Sequence, residues 1–154
     1  MSLIEKRLAE LGITLPEPAK PVAAYIPAKQ SGSLVFTAGQ LPMVNGELIL
    51  KGILGQDVEI EEASKAAKIC AINGLAAIKG VIGDLDRITQ IVRVVGYVAS
   101  HPTFTQQPTI LNGASEFLVE VFGESGKHAR SSVGVAVLPL NAAVEIELTV
   151  EVKN

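Results

Sequence analysis

From Val144 to Val152 apolar and polar residues alternate without a break: Val144, Ile146, Leu148, Val150 and Val152 against Glu145, Glu147, Thr149 and Glu151. Successive side chains of a strand point to opposite faces, so this pattern predicts a strand with one apolar and one acidic face. A helix would scatter the same glutamates around its circumference. A chain containing this segment must supply a helical or sheet layer to cover the aliphatic face, and a use or a solvated setting for the carboxylates.

The segment before it, Ala129-Arg-Ser-Ser-Val-Gly-Val-Ala-Val-Leu-Pro139, also reads as a strand. Val133, Val135 and Val137 fall on one face and Arg130, Ser132, Gly134 and Ala136 on the other. The valine faces of both strands are expected to meet the helices. If the two strands pair as a hairpin through Pro139–Ala142, Arg130 and the glutamates share the opposite face. That face is polar at one end and built of small residues along its length, which suits close approach by another subunit. An arginine beside a carboxylate there could grip a small anion next to a general base; a solvated cross-strand ladder worth roughly 0.2–1 kcal/mol per pair is the plainer reading of the same spacing.

Upstream, residues 2–12 read as a short amphipathic helix closed by Gly12, and Pro16–Pro21 as an extended connector. Strands are expected at Ala23–Ala28 and Leu34–Ala38 around a turn at Gln30–Ser33, and a third at Glu47–Leu50 after Asn45-Gly46. Asp57 is placed to cap an alanine-rich helix that runs to about Ile82 and stops at Gly83. A β-branched strand follows at Arg87–Ala99, then a helix at Gln107–Phe122 with Gly123 beyond it. The order βββαβαββ, behind an extra N-terminal helix, predicts an α+β layer fold: a mixed sheet with two helices on one face. Residues 1–21 are expected to form the helix and connector, and 22–154 the α+β domain.

Composition narrows the function. The 154 residues are 48% hydrophobic and only 19% charged, below the typical charged share of about 25%, with a mean hydropathy of +0.38. The most apolar stretch, Ala71–Ile82, is interrupted by Asn73, Gly74, Lys79 and Gly80, whereas a spanning helix needs about 20 nearly uninterrupted apolar residues. The hydropathy therefore points to apolar surface shared between copies of the chain rather than to a membrane. One cysteine, Cys70, and charges at residues 5–7 instead of a signal peptide suggest a cytoplasmic protein. The net charge of −3 and six aromatic residues give no basic stripe and no stacking platform, so nucleic acid is not expected as a partner. His101 and His128 have no metal-ligand spacing, and no metal is expected.

The run Arg130-Ser-Ser-Val-Gly-Val-Ala-Val-Leu-Pro139 followed by Val144-Glu-Ile-Glu147 resembles the C-terminal signature of the reactive-intermediate deaminase family, the Rid or YjgF type also called endoribonuclease L-PSP. Tyr25, Ala38-Gly-Gln40 and Asn112 match the family's spacing upstream, and the likeness covers roughly residues 20–153. Ser132 stands where many members have Cys and Ala38 where they have Ser, and the leading helix resembles that of a longer side branch. The resemblance implies a chorismate-mutase-like fold and a homotrimer with clefts between subunits. It implies hydrolysis of 2-imino acids or enamines to 2-oxo acids and ammonia without a cofactor. In that reading Arg130 binds the substrate carboxylate and Glu145 activates the attacking water. Tyr25, Ala38, Gly39, Asn112 and Ser132 line the pocket. A non-catalytic small-carboxylate sensor and, with less support, an endoribonuclease or translation inhibitor are the alternatives.

Other constellations carry less. Ser132 and His128 lie four apart in an extended chain, about 13 Å, so they cannot form a nucleophile–base pair, and no Gly-x-Ser-x-Gly elbow occurs. Cys70 on its alanine-rich helix reads as core. Arg93 is a second candidate anion ligand whose plainer role is a structural ion pair.

Overall fold

The computed structural model describes residues 2–18, 20 and 23–154. In chain order its elements are α1 (Leu3–Glu10), β1 (Ala28–Ser31), β2 (Leu34–Thr37), β3 (Met43–Val44), β4 (Glu47–Leu48), α2 (Ile60–Ile82), β5 (Ile88–Ala99), α3 (Gln107–Phe122), β6 (Ala129–Val135) and β7 (Val144–Val152). Five strands make one mixed sheet in the order β1-β2-β7-β5-β6, antiparallel throughout except for the parallel pair β5–β6. Helices α2 and α3 cover one face, giving the expected α+β layer architecture.

The aliphatic row of β7 is buried as its alternation requires, with Val144, Ile146 and Val150 fully inaccessible. Against it lies α2, whose buried side is largely Ala63, Ala66, Ala67, Cys70, Ala71 and Gly74. Small residues let the helix axis come close: a Cβ at Gly74 would stand 2.7 Å from the Leu148 Cδ1. Cys70 is core, its thiol kept protonated by complete burial. Helix α1 starts at Ser2, whose Oγ accepts from the Glu5 amide (3.0 Å), and the Asp86 carboxylate accepts from the Leu3 and Ile4 amides (2.9 Å each). A carboxylate at a helix N-terminus meets unpaired N–H groups and the positive end of the dipole. With Leu8 buried, this fastens α1 to the turn before β5.

Several expectations are corrected. The first strand begins at Ala28, not Ala23, because Pro27 has no N–H to contribute and instead accepts from the Ala38 amide at 2.8 Å. Part of the Pro16–Pro21 connector, residues 19 and 21, lies outside the described residues. The expected third strand belongs to a separate two-stranded hairpin, β3–β4, turned by Asn45 and Gly46, both at positive φ. Asp57 does not cap α2: its Oδ1 accepts from the Ile53 amide (2.6 Å) and closes the preceding loop, while Glu59 is the N-cap and its amide donates to Glu62.

The largest correction concerns β6. It does not pair with β7; β5 lies between them. A β5-α3-β6 unit is a crossover that returns parallel to its own first strand. In this register Arg130 lies opposite Val94, which faces Leu148, while Val133 lies opposite Tyr97, which faces Glu145. Arg130, Ser132 and Gly134 therefore share the helix-covered side, and Val133 and the glutamates the open one. The faces of β6 are the reverse of the expected ones, and Val133 and Val137 remain 43% and 66% exposed.

Gly113 marks the tightest helix–helix approach, since a Cβ there would run into the Ser64 carbonyl of α2. Gly113→Ala gains about 1 kcal/mol of helix propensity, but backbone cannot move as a flexible side-chain tip can, and overpacking costs typically about 1–3 kcal/mol. A net loss of stability is expected, read as a lower urea midpoint at fixed protein concentration; an unchanged or higher midpoint would contradict this packing.

Candidate functional site

Sequence spacing on α3 brings Asn112 and Ser115, three residues apart, onto one side of the helix, and the start of β6 sets Arg130 against them. Arg130 Nη1 donates to Asn112 Oδ1 (2.9 Å) and to Ser115 Oγ (3.1 Å). Both Nη1 protons are thereby used. Nε and Nη2 make no hydrogen bond among the described residues, and no carboxylate there stands within ion-pair distance of Arg130. Two residues along the same face, the Ser132 hydroxyl is buried and without a partner among the described residues. A half-buried guanidinium with an open edge beside an unpaired hydroxyl is a setting that favours a planar anion.

The second half of the site lies on the other face of the sheet. Between Phe36↔Thr149 and Gln40↔Ile146, four steps along the first segment oppose three along β7, so one residue is extra. The Gln40–Ile146 backbone pair (2.8 and 3.0 Å) and the Thr37 Oγ1, which accepts from the Leu148 amide at 2.9 Å, pin this irregularity. Gly39 sits within it, directly over Glu145: a Cβ there would stand 2.7 Å from Cδ and 2.8 Å from Oε2. Glycine is thus required by the carboxylate and not by φ. Tyr25 and Ala38 border the adjoining surface cleft of about 800 Å³, together with Lys29 and Phe36. Tyr25 is 56% exposed, and its hydroxyl has no hydrogen bond among the described residues.

Glu145 is half-buried, and burial, followed by the like charge of Glu147, holds its pKa above the ordinary 4.5. Glu147 is in turn gripped by the Tyr97 hydroxyl, which donates to Oε1 at 3.1 Å. Burial and this bond to a carboxylate raise the Tyr97 pKa. Arg93 lies on this open face but donates to Ser131 Oγ (3.0 Å), with no ion pair among the described residues.

The structure therefore brings Arg130, Asn112 and Ser132 together, and separately Glu145 with Gly39 and Ala38. It does not bring Arg130 to Glu145. They stand on opposite faces, two strand spacings apart and offset by three residues, about 14 Å between backbones. Two partners were not singled out as site residues from the sequence. Ser115 was legible as the i+3 neighbour of Asn112. His128, whose Nε2 is 2.8 Å from Ser115 Oγ, was weighed as a metal ligand and as a base for Ser132, not as a partner of Ser115. A second hollow, about 520 Å³ near His101 and Gln107, contains none of the sequence candidates.

The family described as "YjgF/chorismate_mutase-like, putative endoribonuclease" matches residues 5–152. Protein TCP17 of Trypanosoma cruzi is 40% identical over 98% of this chain and 95% of its own length. Among solved structures, Agrobacterium tumefaciens Atu1372, of unknown function, is similar at 45% identity and a TM-score of 0.91, covering 98% of this chain and 94% of that one. A Shewanella oneidensis protein described as a "putative endoribonuclease" is similar at 37% identity and a TM-score of 0.93, over 97% and 99% of the two chains.

The raised pKa of Glu145 fixes a sign. Its proton is held more tightly folded than unfolded, so this group's contribution to stability falls as pH rises from about 4.5 through its folded value. A carboxyl NMR titration should place the Glu145 midpoint above 4.5. Glu147→Gln should lower the midpoint without normalising it, because burial is the larger cause. A midpoint unmoved by that change would remove the like-charge contribution.

Proposed function

This chain belongs to the YjgF/chorismate-mutase-like family, and from that premise we propose that it hydrolyses reactive 2-imino acids to 2-oxo acids and ammonia in clefts shared between copies of the chain. The observation that carries the proposal is the Nε/Nη2 edge of Arg130, which among the described residues has no hydrogen-bond partner and no carboxylate to neutralise it, two positions along the strand from a Ser132 hydroxyl likewise unpaired there. A 2-imino acid offers a planar carboxylate to that edge and an electrophilic carbon next to it. Escherichia coli TdcF, which shares the fold at 23% identity, holds bound serine, a small molecule with such a carboxylate.

The chemistry asks little of the protein. Water adds to the imine carbon while Glu145, ionised, takes one of its protons and passes it to the imine nitrogen, giving the neutral carbinolamine; Glu145 then takes the hydroxyl proton and delivers it to nitrogen as the C–N bond breaks, releasing the 2-oxo acid and ammonia. Holding the carboxylate and placing one water supply most of the acceleration expected from proximity. Because Arg130 and Glu145 of one chain lie on opposite faces, one cleft containing both draws Arg130, Asn112 and Ser132 from one copy. Glu145, Gly39, Ala38 and Tyr25 come from its neighbour. A homotrimer closes such heterologous contacts. The exposed Phe36 and Val133 on the open face provide apolar surface for that contact.

A second reading, a carboxylate-binding module without turnover, draws on the fact that the arginine half is complete within one chain. The endoribonuclease reading finds no support in a chain of net charge −3.

The test generates 2-imino acids afresh with an amino-acid oxidase or a threonine dehydratase and follows their conversion to 2-oxo acids. Wild type should accelerate it; Arg130→Ala and Glu145→Gln should each lose on the order of 10²-fold. Unfolding the two variants together and refolding them should restore about a quarter of wild-type activity, since random mixing pairs an intact Arg130 with an intact neighbouring Glu145 in one cleft in four. No acceleration across small, branched and aromatic imines, with 2-oxo acids still bound, would transfer the conclusion to the non-catalytic reading. Two inactive variants that stay inactive when mixed would exclude the shared cleft.

Within the glutamate half, Gly39→Ala should abolish turnover while changing stability by only about 0.5 kcal/mol. The added methyl meets the far end of the Glu145 side chain, which can swing aside, and not backbone. A thermal melt beside the imine assay separates the two effects; full activity would mean the Glu145 position is immaterial.

A further inference from the structure

We propose that Ser115 and His128 are positioning residues that hold the Arg130 guanidinium in the one orientation that turns its Nε/Nη2 edge to a ligand carboxylate. The proposal rests on the assignment of Arg130 as the carboxylate anchor and goes beyond it to two side chains with no part in the chemistry.

The direction of each hydrogen bond follows from what each atom is able to do. The Gly126 carbonyl can only accept, so His128 Nδ1, 2.6 Å away, carries the proton. In the neutral imidazole Nε2 is then the acceptor, so the Ser115 hydroxyl, 2.8 Å away, donates to it. That leaves the Ser115 lone pairs to accept from Arg130 Nη1 at 3.1 Å, while the other Nη1 proton goes to Asn112. Every donor faces an acceptor, and a chain polarised in one sense strengthens its members. Its fixed end is built firmly: Gly126 is buried, and a side chain there would run into the Leu118 carbonyl of α3, so the turn carrying the Gly126 carbonyl lies directly on the helix that carries Ser115. An unrestrained arginine has many rotamers to lose when it orders on a ligand. Saturating Nη1 from behind removes much of that freedom before a ligand arrives and leaves the side-on edge as the only bidentate one.

The decisive measurement is calorimetric binding of 2-oxobutanoate to the full chain, paired with steady-state kinetics on the corresponding imine. Ser115→Ala and His128→Phe are expected to raise Kd and KM about 5- to 10-fold with kcat within twofold of wild type, and Ser115→Thr, which keeps the hydroxyl, to restore both. Arg130→Ala should abolish binding. Wild-type affinity in Ser115→Ala or His128→Phe, alongside loss in Arg130→Ala, overturns the positioning role and leaves the anchor standing. Undiminished binding by Arg130→Ala, or none by wild type, overturns the anchor and the positioning role with it. Should a variant fail to fold, the 15N spectrum of the wild-type His128 ring, recorded where the imidazole is neutral, decides the matter. The Nδ1-protonated tautomer is expected, and the Nε2-protonated one overturns the network.

Discussion

Strand β5 pairs antiparallel with β7 on one side and parallel with β6 on the other, and the rest of the molecule is arranged around that double ladder. The parallel pair obliges α3 to cross the sheet, which brings Asn112 and Ser115 over the start of β6. Its register is locked from the helix side. Leu111 occupies the space a side chain at Gly96 would need, and Gln107 and Ser100 crowd the corresponding position at Gly134. A slip of one residue would turn Arg130 to the open face and carry every neighbour of β6 to the wrong side. Each fully buried aliphatic residue of the ladder, such as Val94 or Ile146, contributes about 1.5–3 kcal/mol, far more than a surface hydrogen bond, so core packing decides where the arginine goes.

Two halves of a site then arise from different causes. The arginine half follows from helix periodicity on α3 and the turn that leads into β6. The glutamate half follows from one extra residue between β2 and the Gln40–Ile146 bridge, which lays Gly39 on Glu145. Neither half needs the other in order to form. Their separation across the sheet makes the proposed activity a property of an assembly.

What the sequence made legible has a physical pattern. Long periodic segments were readable: β5, β7 and α3 lie where alternation and helical spacing put them, and Gly83 and Gly123 end their helices. Short elements were not. Strand β1 starts five residues later than its β-branched and aromatic content suggested because Pro27 cannot donate, and β3–β4 is held by its own turn and not by the main sheet. The reversed faces of β6 misled for a deeper reason. Val133, Val135 and Val137 alternate like a core strand, but apolar alternation says only that one face avoids water, not which layer covers it. The parallel crossover was implicit in the strand–helix–strand order and would have placed β6 beside β5. The pairing of Ser115 with His128 was not legible, since the twelve residues between them leave α3 and turn towards β6, so no single period relates the two.

Under the proposed shared cleft, the covering copy does more than supply Arg130. Glu145 is only half-buried in one chain, yet burial is already the main cause of its raised pKa. A general base works best with a pKa near the operating pH, and an ordinary glutamate lies too low to bind a proton strongly at neutrality. Bringing a neighbour's apolar strand over the open face removes further water and pushes the carboxyl higher; bringing its guanidinium near pulls it lower. The substrate's own carboxylate, bound to the Nε/Nη2 edge, offsets the second effect by neutralising that cation. Anchor and base are therefore linked through the ligand: until the carboxylate is seated, the arginine keeps Glu145 a weaker base, and the site reaches full basicity when an imine is in place to use it.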